Sequence, residues 1–448
     1  MIKRLFRKII PRPVLRLYHY LLAYIAAFYY GHPSNKMIVI GVTGTAGKST
    51  VVNLLYDILE QAGFRVGIMT TFNFKIAGKE EINKKKMTMF GGFSLQRSLK
   101  QMLDAGCQYA ILETTSQGVR QYRHLGVNYD IGVFTNLSPE HIEWHGSFEK
   151  YRKAKQEFFR YLSKSKRKII SNKNIGKINI VNLDDENNQY FLRFDVDKKY
   201  GYTLKNSKRK ISNFGQCRDP KLKIVKAENA MSTDKGSEFR VQGSEFTLNL
   251  LGEFNIYNSL SAICVALSQG IDLGICRKAL KKVKSMPGRM EIVADNPFTV
   301  IVDYAHTPDS LEKVYQTIKN QQLSVNNQRL ICVLGSAGGG RDKRKRPILG
   351  SLASEYCDEI IITNEDPYNE DPEKIINQIA FGIKGKKFQK IIDRREAIGK
   401  ALDIAQKGDI VVITGKGCEP WIMGSNGRKI VWDDRNIVKQ CLALMKFQ

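Results

Sequence analysis

The chain has 448 residues, 42% of them apolar, which suffices for two or three domains with separate cores and excludes a disordered or fibrous protein. Its 71 Lys and Arg against 44 Asp and Glu leave a formal charge of +27. That charge favours anionic substrates, lipid headgroups or nucleic acid without choosing among them, and runs such as Lys164 to Lys177 and Lys205 to Lys210 read as solvated surface.

In chain order, Lys3, Arg4, Arg7, Lys8, Arg12 and Arg16 precede or flank a Leu- and Tyr-rich run that ends near Tyr30. Leu17 to Tyr30 is too short to span a bilayer and has no A-x-A cleavage pattern. Residues 1–36 are therefore expected to form a basic, aromatic helical segment, either docked on the protein or lying at a membrane interface. From Met37 to Val42 an apolar run predicts a strand, and Ser49 to Gln61 carries apolar residues at helical spacing. Apolar runs at Tyr109 to Leu112 and Ile131 to Phe134 predict buried parallel strands whose ends carry ligand residues. Ile169 to Leu251 reads as a β-rich excursion from the same domain, without chemistry. Beyond Pro287, strand-like runs at Thr299 to Val302, Leu330 to Leu334, Glu359 to Thr363, Lys390 to Ile392 and Ile410 to Thr414 alternate with helical segments. The reading is α/β: a central domain with a parallel sheet over 37–290, whose opening strand, glycine loop and helix mark it as P-loop type, then a Rossmann-like domain over 291–448.

The cysteines, Cys107, Cys217, Cys264, Cys276, Cys332, Cys357, Cys418 and Cys441, contain no C-x-x-C pair. They point away from zinc and toward a reducing compartment, the cytoplasm.

Gly44, Thr45, Ala46, Gly47, Lys48, Ser49 and Thr50 follow a strand and open a helix, the setting in which backbone amides and the helix dipole surround phosphate. Lys48 is placed to neutralise the β and γ phosphates and Ser49 to offer a hydroxyl to Mg²⁺. Val42 stands where the common phosphate loop has its first glycine, so the loop is a variant. Glu113, at the end of an apolar strand, is placed to ligate Mg²⁺. His141 occupies a similar position, while Lys155, taken alone, reads as a solvated helix residue.

With these residues in order, the chain resembles the Mur ligases, most of all the MurE type that adds the third amino acid to UDP-N-acetylmuramoyl-dipeptide. The likeness runs through Gly44 to Thr50, Glu113 to Gln117, Thr135 to His141, His145 and Gly146, Lys155, Gly252 to Asn258, and Pro287 to Arg289. It continues through Asp303 to Pro308, Gly338 to Pro347 and Gly415 to Glu419. The resemblance implies ATP and Mg²⁺, with Ser49, Glu113, His141 and a carbamylated Lys155 around the metals. Lys48, Glu113, His141, Lys155 and Arg289 carry the implied chemistry, and Asn255, Arg289, Asp303 and His306 complete the ATP site. Thr88, Ser116 and Arg123 match residues that hold the muramoyl dipeptide. Arg341, Glu365, Asp366, Tyr368, Gly415 and Glu419 match the place of the incoming amino acid.

The implied reaction is phosphorylation of a substrate carboxylate to an acyl phosphate, followed by attack of an amine, in a monomer that takes a muramoyl peptide and a free amino acid. The sequence departs from the family in three ways. The usual uridine-binding domain is not expected within the first 36 residues. Tyr368 replaces the arginine that selects diaminopimelate, so lysine and diaminopimelate both remain. Ala46 and Cys418 replace a common asparagine and histidine. Another Mur or folylpolyglutamate-type ligase, or a non-catalytic nucleotide-binding module at the inner membrane face, are the other readings. A nucleic-acid partner is not expected, for want of a basic patch with interleaved aromatics.

Overall fold

The computed structural model describes residues 12–83, 87–204, 219–233, 235–322 and 328–445. Cys217, the Lys205 to Lys210 run and the cations before Arg12 lie outside the described residues, as do the side chains of Arg12 and Arg16. The fold is α/β, as expected, and is built on two large sheets.

The first sheet comprises β1 (Ile38–Thr43), β2 (Val66–Met69), β3 (Asn73–Ile76), β4 (Lys79–Ile82), β5 (Tyr109–Glu113) and β6 (Ile131–Phe134). A small hairpin, β7 (Lys168–Ile170) and β8 (Lys173–Ile175), stands apart from it. The sheet resumes with β9 (Ile178–Asn182), β10 (Lys198–Thr203), β11 (Leu222–Thr233), β12 (Gly236–Val241) and β13 (Ser244–Leu248). Its order is β13-β12-β11-β10-β9-β6-β1-β5-β2-β3-β4, parallel from β11 to β2 and antiparallel at both ends. The stretch read as an excursion is thus the second half of this sheet. Its short, Lys- and Asn-rich strands concealed that β9 pairs directly with β6.

Both faces of the central strands are covered, which is why they read as apolar runs. Helices Lys48–Gln61, Glu253–Ser268 and Leu273–Lys282 pack one face around Val51, Leu55, Ile58, Leu260 and Ile263. Helices Gly92–Asp104 and Phe148–Lys164 pack the other around Leu95, Leu99, Phe158, Phe159 and Leu162. Helix Arg12–Tyr29 lies against Gly92–Asp104 on that second face.

The second sheet comprises β14 (Glu291–Ala294), β15 (Thr299–Asp303), β16 (Leu330–Leu334), β17 (Glu359–Ile362), β18 (Phe388–Lys390) and β19 (Ile410–Thr414), ordered β14-β15-β19-β16-β17-β18. It is parallel apart from β14 and has helices on both faces. The strand expected at Lys390 to Ile392 lies two residues earlier, because Phe388–Lys390 makes the pairing with β17. As in other open parallel sheets, ligand-type residues gather at the carboxyl ends of the strands, here Glu113 after β5 and Asp303 after β15.

Candidate active site

The loop after β1 is held from behind by β6. The Thr45 N–H donates to the Asn136 carbonyl and the Ala46 N–H to Asn136 Oδ1, each at 2.9 Å, while the Thr135 hydroxyl donates to the Ala46 carbonyl at 2.7 Å. A Cβ on Gly44 would sit 1.9 Å from Thr135 Oγ1, and one on Gly47 2.3 Å from Asn258 Oδ1. Only glycine fits this clamp. Because the Thr45 and Ala46 amides are engaged with Asn136, the anion-binding N–H groups are those opening helix Lys48–Gln61, which have no intrahelical acceptor. The Lys48 ammonium folds back onto the Thr45 carbonyl at 2.7 Å.

Ser49 and Glu113 meet at the loop, the hydroxyl donating to Glu113 Oε2 at 2.7 Å. Thr71, which the sequence reading passed over, fixes that carboxylate with its backbone N–H at 3.0 Å and its hydroxyl at 3.1 Å, and touches Thr88 at 2.9 Å. Among the described residues no three His, Cys, Asp or Glu side chains converge as a ready metal cage. A buried hydroxyl and carboxylate beside a phosphate loop nevertheless fit Mg²⁺, which is commonly held by one or two protein oxygens together with phosphates and water.

Lys155 is not a solvated helix residue. It is 2% exposed and its Nζ donates to the Gly44 carbonyl at 2.6 Å. Burial, and then the Lys48 ammonium, push its amine well below the usual lysine range, against the pull of Glu140 and Glu113. The signal for this was present: Tyr151, Ala154, Lys155, Phe158, Phe159 and Leu162 form one helical stripe, with Lys155 inside it.

His141 sits in left-handed backbone, φ 56, with its ring 3.5 Å from Glu140 and 3.8 Å from Glu143. The Glu140 carboxylate reaches His306 of the second sheet's unit at 3.4 Å, and Ser138 donates to Asp309 across the same gap at 3.4 Å. Burial opposes ionisation of Glu140, but His141, His306 and Lys48 together hold its carboxyl below the usual range. His306 is oriented through the Tyr304 carbonyl at 2.9 Å, and Lys345 donates to the His306 carbonyl at 2.8 Å. Arg289 lies 4.5 Å over the Tyr304 ring. Asp303 accepts from the Met290 and Ala305 amides at 2.7 and 2.6 Å; burial raises its carboxyl, with Arg289 opposing. Asn255 is buried, donates to the Leu251 carbonyl at 2.8 Å and accepts from Asn258 at 2.9 Å.

One cleft is lined by Thr45 to Thr50, Thr88, Glu113, Ser116, Arg123, His141 and Asn255 from the first unit. Arg289, Asp303, His306, Arg341, Glu365, Asp366, Tyr368 and Glu419 line it from the other side. Gly44, Lys155 and Gly415 lie behind its wall; a Cβ on Gly415 would meet Glu365 Oε2 at 2.8 Å. Asn182, Asp184, Asp185 and Tyr202 also line the cleft, so the segment read as carrying no chemistry contributes to its wall. Asp185 accepts from the Leu137 amide at 2.7 Å and Asp184 from the Tyr257 hydroxyl at 2.9 Å. Ser116 is bonded to His145 at 3.1 Å, and Arg123 donates to the Met89 carbonyl and to Gln121. On the far side, fully buried Lys416 pairs with Asp366 at 3.0 Å and with Glu419, which also accepts from Tyr304 at 3.0 Å. Glu365 is 5% exposed and its Oε2 has no hydrogen-bond partner.

Two family models match the chain, the Mur ligase middle domain over residues 42–266 and the Mur ligase glutamate ligase domain over 288–417. The chain is 37% identical to a UDP-N-acetylmuramyl-tripeptide synthetase of Roseiflexus, over 97% of this chain and 84% of that protein. The chain belongs to the Mur ligase family. It is also 34% identical to a UDP-N-acetylmuramoyl-L-alanyl-D-glutamate--2,6-diaminopimelate ligase of Halalkalibacterium halodurans, over the same shares of the two chains. A solved structure of a ligase of that name superposes with a TM-score of 0.59 at 29% identity, covering 92% of this Mur ligase and 79% of the other chain. A Mycobacterium tuberculosis folylpolyglutamate synthase shares the fold, with a TM-score of 0.65 at 16% identity over 100% of this Mur ligase and 97% of that chain. A Mur ligase is an ATP-dependent enzyme that forms amide bonds.

Proposed function

We propose that this Mur ligase joins a diamino acid, diaminopimelate or lysine, to a muramoyl-L-Ala-D-Glu acceptor through an acyl phosphate. The observation that carries the reading is the division of the cleft. The phosphate loop and Glu113 stand on one wall, Arg289, Asp303 and His306 on the other, and Glu140 to His306 at 3.4 Å ties the two together.

In this reading Gly47 to Thr50 and Lys48 hold the ATP phosphates, and Asn255, Asp303 and His306 seat the nucleoside from the facing wall. Thr88, Ser116 and Arg123 hold the acceptor so that its carboxylate oxygen lies in line with the γ phosphorus. That oxygen takes the phosphoryl group and ADP leaves. The incoming amine then attacks the acyl carbon, loses its proton, and inorganic phosphate departs. Lys48 and Arg289 stabilise charge on the transferring group, and closure of the walls excludes water. Mg²⁺, held at one site by Ser49 and Glu113 and at a second by His141, would neutralise phosphate charge when bound.

Lys155 takes part as its carbamate. Burial weakens the hold of this amine on its proton; the free amine adds to carbon dioxide and loses a proton, which leaves an anion beside the metal site. Arg341 meets the α-carboxylate of the amino acid. Glu365, Asp366 and Glu419 surround its distal amine, with Lys416 already satisfying part of their charge. Free cysteines throughout the described residues support a reducing, cytoplasmic setting for a monomer.

The test is turnover of the purified chain with ATP, Mg²⁺, UDP-N-acetylmuramoyl-L-alanyl-D-glutamate and a panel of amino acids, following phosphate release and product mass. A new mass with lysine or diaminopimelate is expected; no product with any amino acid defeats the reading.

A further inference from the structure

Helix Arg12–Tyr29 turns its small side chains inward and its bulky ones outward. Against the protein stand Ala23, Ala26 and Ala27, all buried. Backbones approach so closely that a Cβ on Gly92 would lie 3.2 Å from the Ala23 Cα, and one on Gly126 2.8 Å from the Ala23 carbonyl oxygen. The opposite arc carries Leu17, Tyr18, Leu21, Tyr24, Ile25 and Phe28 at helical spacing, each between 40% and 78% exposed. A helix that merely covers a domain buries its large apolar face. Single apolar residues outside need no account, but a contiguous arc of six marks a contact surface.

Charge selects what covers it. The helix has no acid in its first turn, and the sequence from Met1 to Lys36 contains Lys3, Arg4, Arg7, Lys8, Arg12 and Arg16 but no Asp or Glu. A sequence whose cations precede or flank an apolar, tyrosine-rich run suits the interfacial plane of an anionic bilayer. A second copy of the chain would instead set like charge against like. Among the described residues no helix is long and apolar enough to cross a membrane.

We propose that the outer arc of helix Arg12–Tyr29 seats the protein on an anionic lipid bilayer. The inner side of the helix adjoins one end of the cleft. Tyr20 meets the Tyr122 ring at 6.1 Å and Ala23 packs on Gly126, while the turn between them places Gln121 and Arg123 in the cleft wall. The helix thus packs on the turn that carries Arg123, at the end of the cleft where the acceptor binds in the ligase reading. The seat itself does not depend on that reading.

The test is centrifugation of the full chain with vesicles of phosphatidylcholine and phosphatidylglycerol in equal parts, and with phosphatidylcholine alone. The chain is expected to sediment with the anionic vesicles, less with the neutral ones, and less again as salt rises. Leu21→Glu with Ile25→Glu, both on the exposed arc, is expected to lower the bound fraction about tenfold without changing the unfolding temperature or phosphate release in solution. Should that pair lower the unfolding temperature, Phe28→Ser at the most exposed position reads the same loss. Sedimentation that is absent, indifferent to lipid charge, or unchanged in the variants overturns the proposal. So does a vesicle-independent dimer that the variants dissociate, which would assign the arc to a second copy.

Discussion

The Lys155 amine and the Gly44 carbonyl are 2.6 Å apart, so helix Phe148–Lys164 is fastened to the first residue of the phosphate loop by an amine with almost no access to water. Replacement by methionine keeps the volume and removes both the hydrogen-bond donor and the site of carbamate formation. Lys155→Met is therefore expected to lose at least about a hundredfold in phosphate release while unfolding at no lower temperature than the wild type, since a costly buried amine is gone. Added bicarbonate is expected to raise wild-type turnover only. Retained activity in the variant would remove Lys155 from the mechanism.

Glu140 stands between His141 and His306 and thereby links the two walls of the cleft. Glu140→Gln keeps the shape but loses the charge that holds the two rings together. The expected result is a rise of about tenfold in KM for ATP, with KM for the amino acid little changed, because nucleotide is the reactant that both walls grip. Equal rises for both reactants would show that the residue supports the fold rather than closure.

Asp57, on the helix that opens at Lys48, offers a test by pH. Burial raises its carboxyl to about 6, with Lys75 opposing and Glu60 and Glu80 adding to the rise. The folded chain thus binds this proton more tightly than the unfolded chain, whose carboxyl titrates near 3.8. Ionisation costs stability fully above about pH 6 and not at all below about pH 4. Asp57→Asn is expected to stabilise the protein by about 3 kcal/mol at neutral pH, a gain that vanishes on acidification. Unfolding curves across that window check it, and a gain independent of pH would contradict the assignment.

Tyr368 occupies left-handed backbone, φ 52, and its ring lies where a Cβ on Gly339 would meet it at 2.6 Å. It offers no cation to a second carboxylate. Tyr368→Arg is expected to shift the ratio of kcat/KM toward diaminopimelate over lysine by about tenfold. Competition between the two amino acids, with products resolved by mass, measures it; an unchanged ratio places selection elsewhere.

What could be read in advance was local. The strand, glycine loop and helix around Lys48, and the acidic strand end at Glu113, announce themselves by spacing within one segment. Thr71 could not be found in that way, because its only distinction is that the end of β2 lies beside β5 and delivers it to Glu113. Lys416 was passed over as part of a motif, although its burial between Asp366 and Glu419 decides how much negative charge remains for a ligand. The second half of the first sheet was missed for a different reason. Its strands alternate exposed Lys, Glu and Asn with buried Phe and Val, and this pattern identifies strands without saying which sheet they join.

The first sheet ends in a hairpin at each side, and each hairpin turns charge outward: Lys79, Glu80 and Glu81 along β4, Arg240 and Glu245 on β12 and β13. A row of unpaired backbone groups invites another chain to add itself as a strand, and charged, twisted margins refuse that invitation. The breadth of this sheet is therefore finished. Further growth of the architecture would come from lengthening the hairpin tips or attaching units at the chain's ends, which leaves the strands that carry the phosphate loop in register.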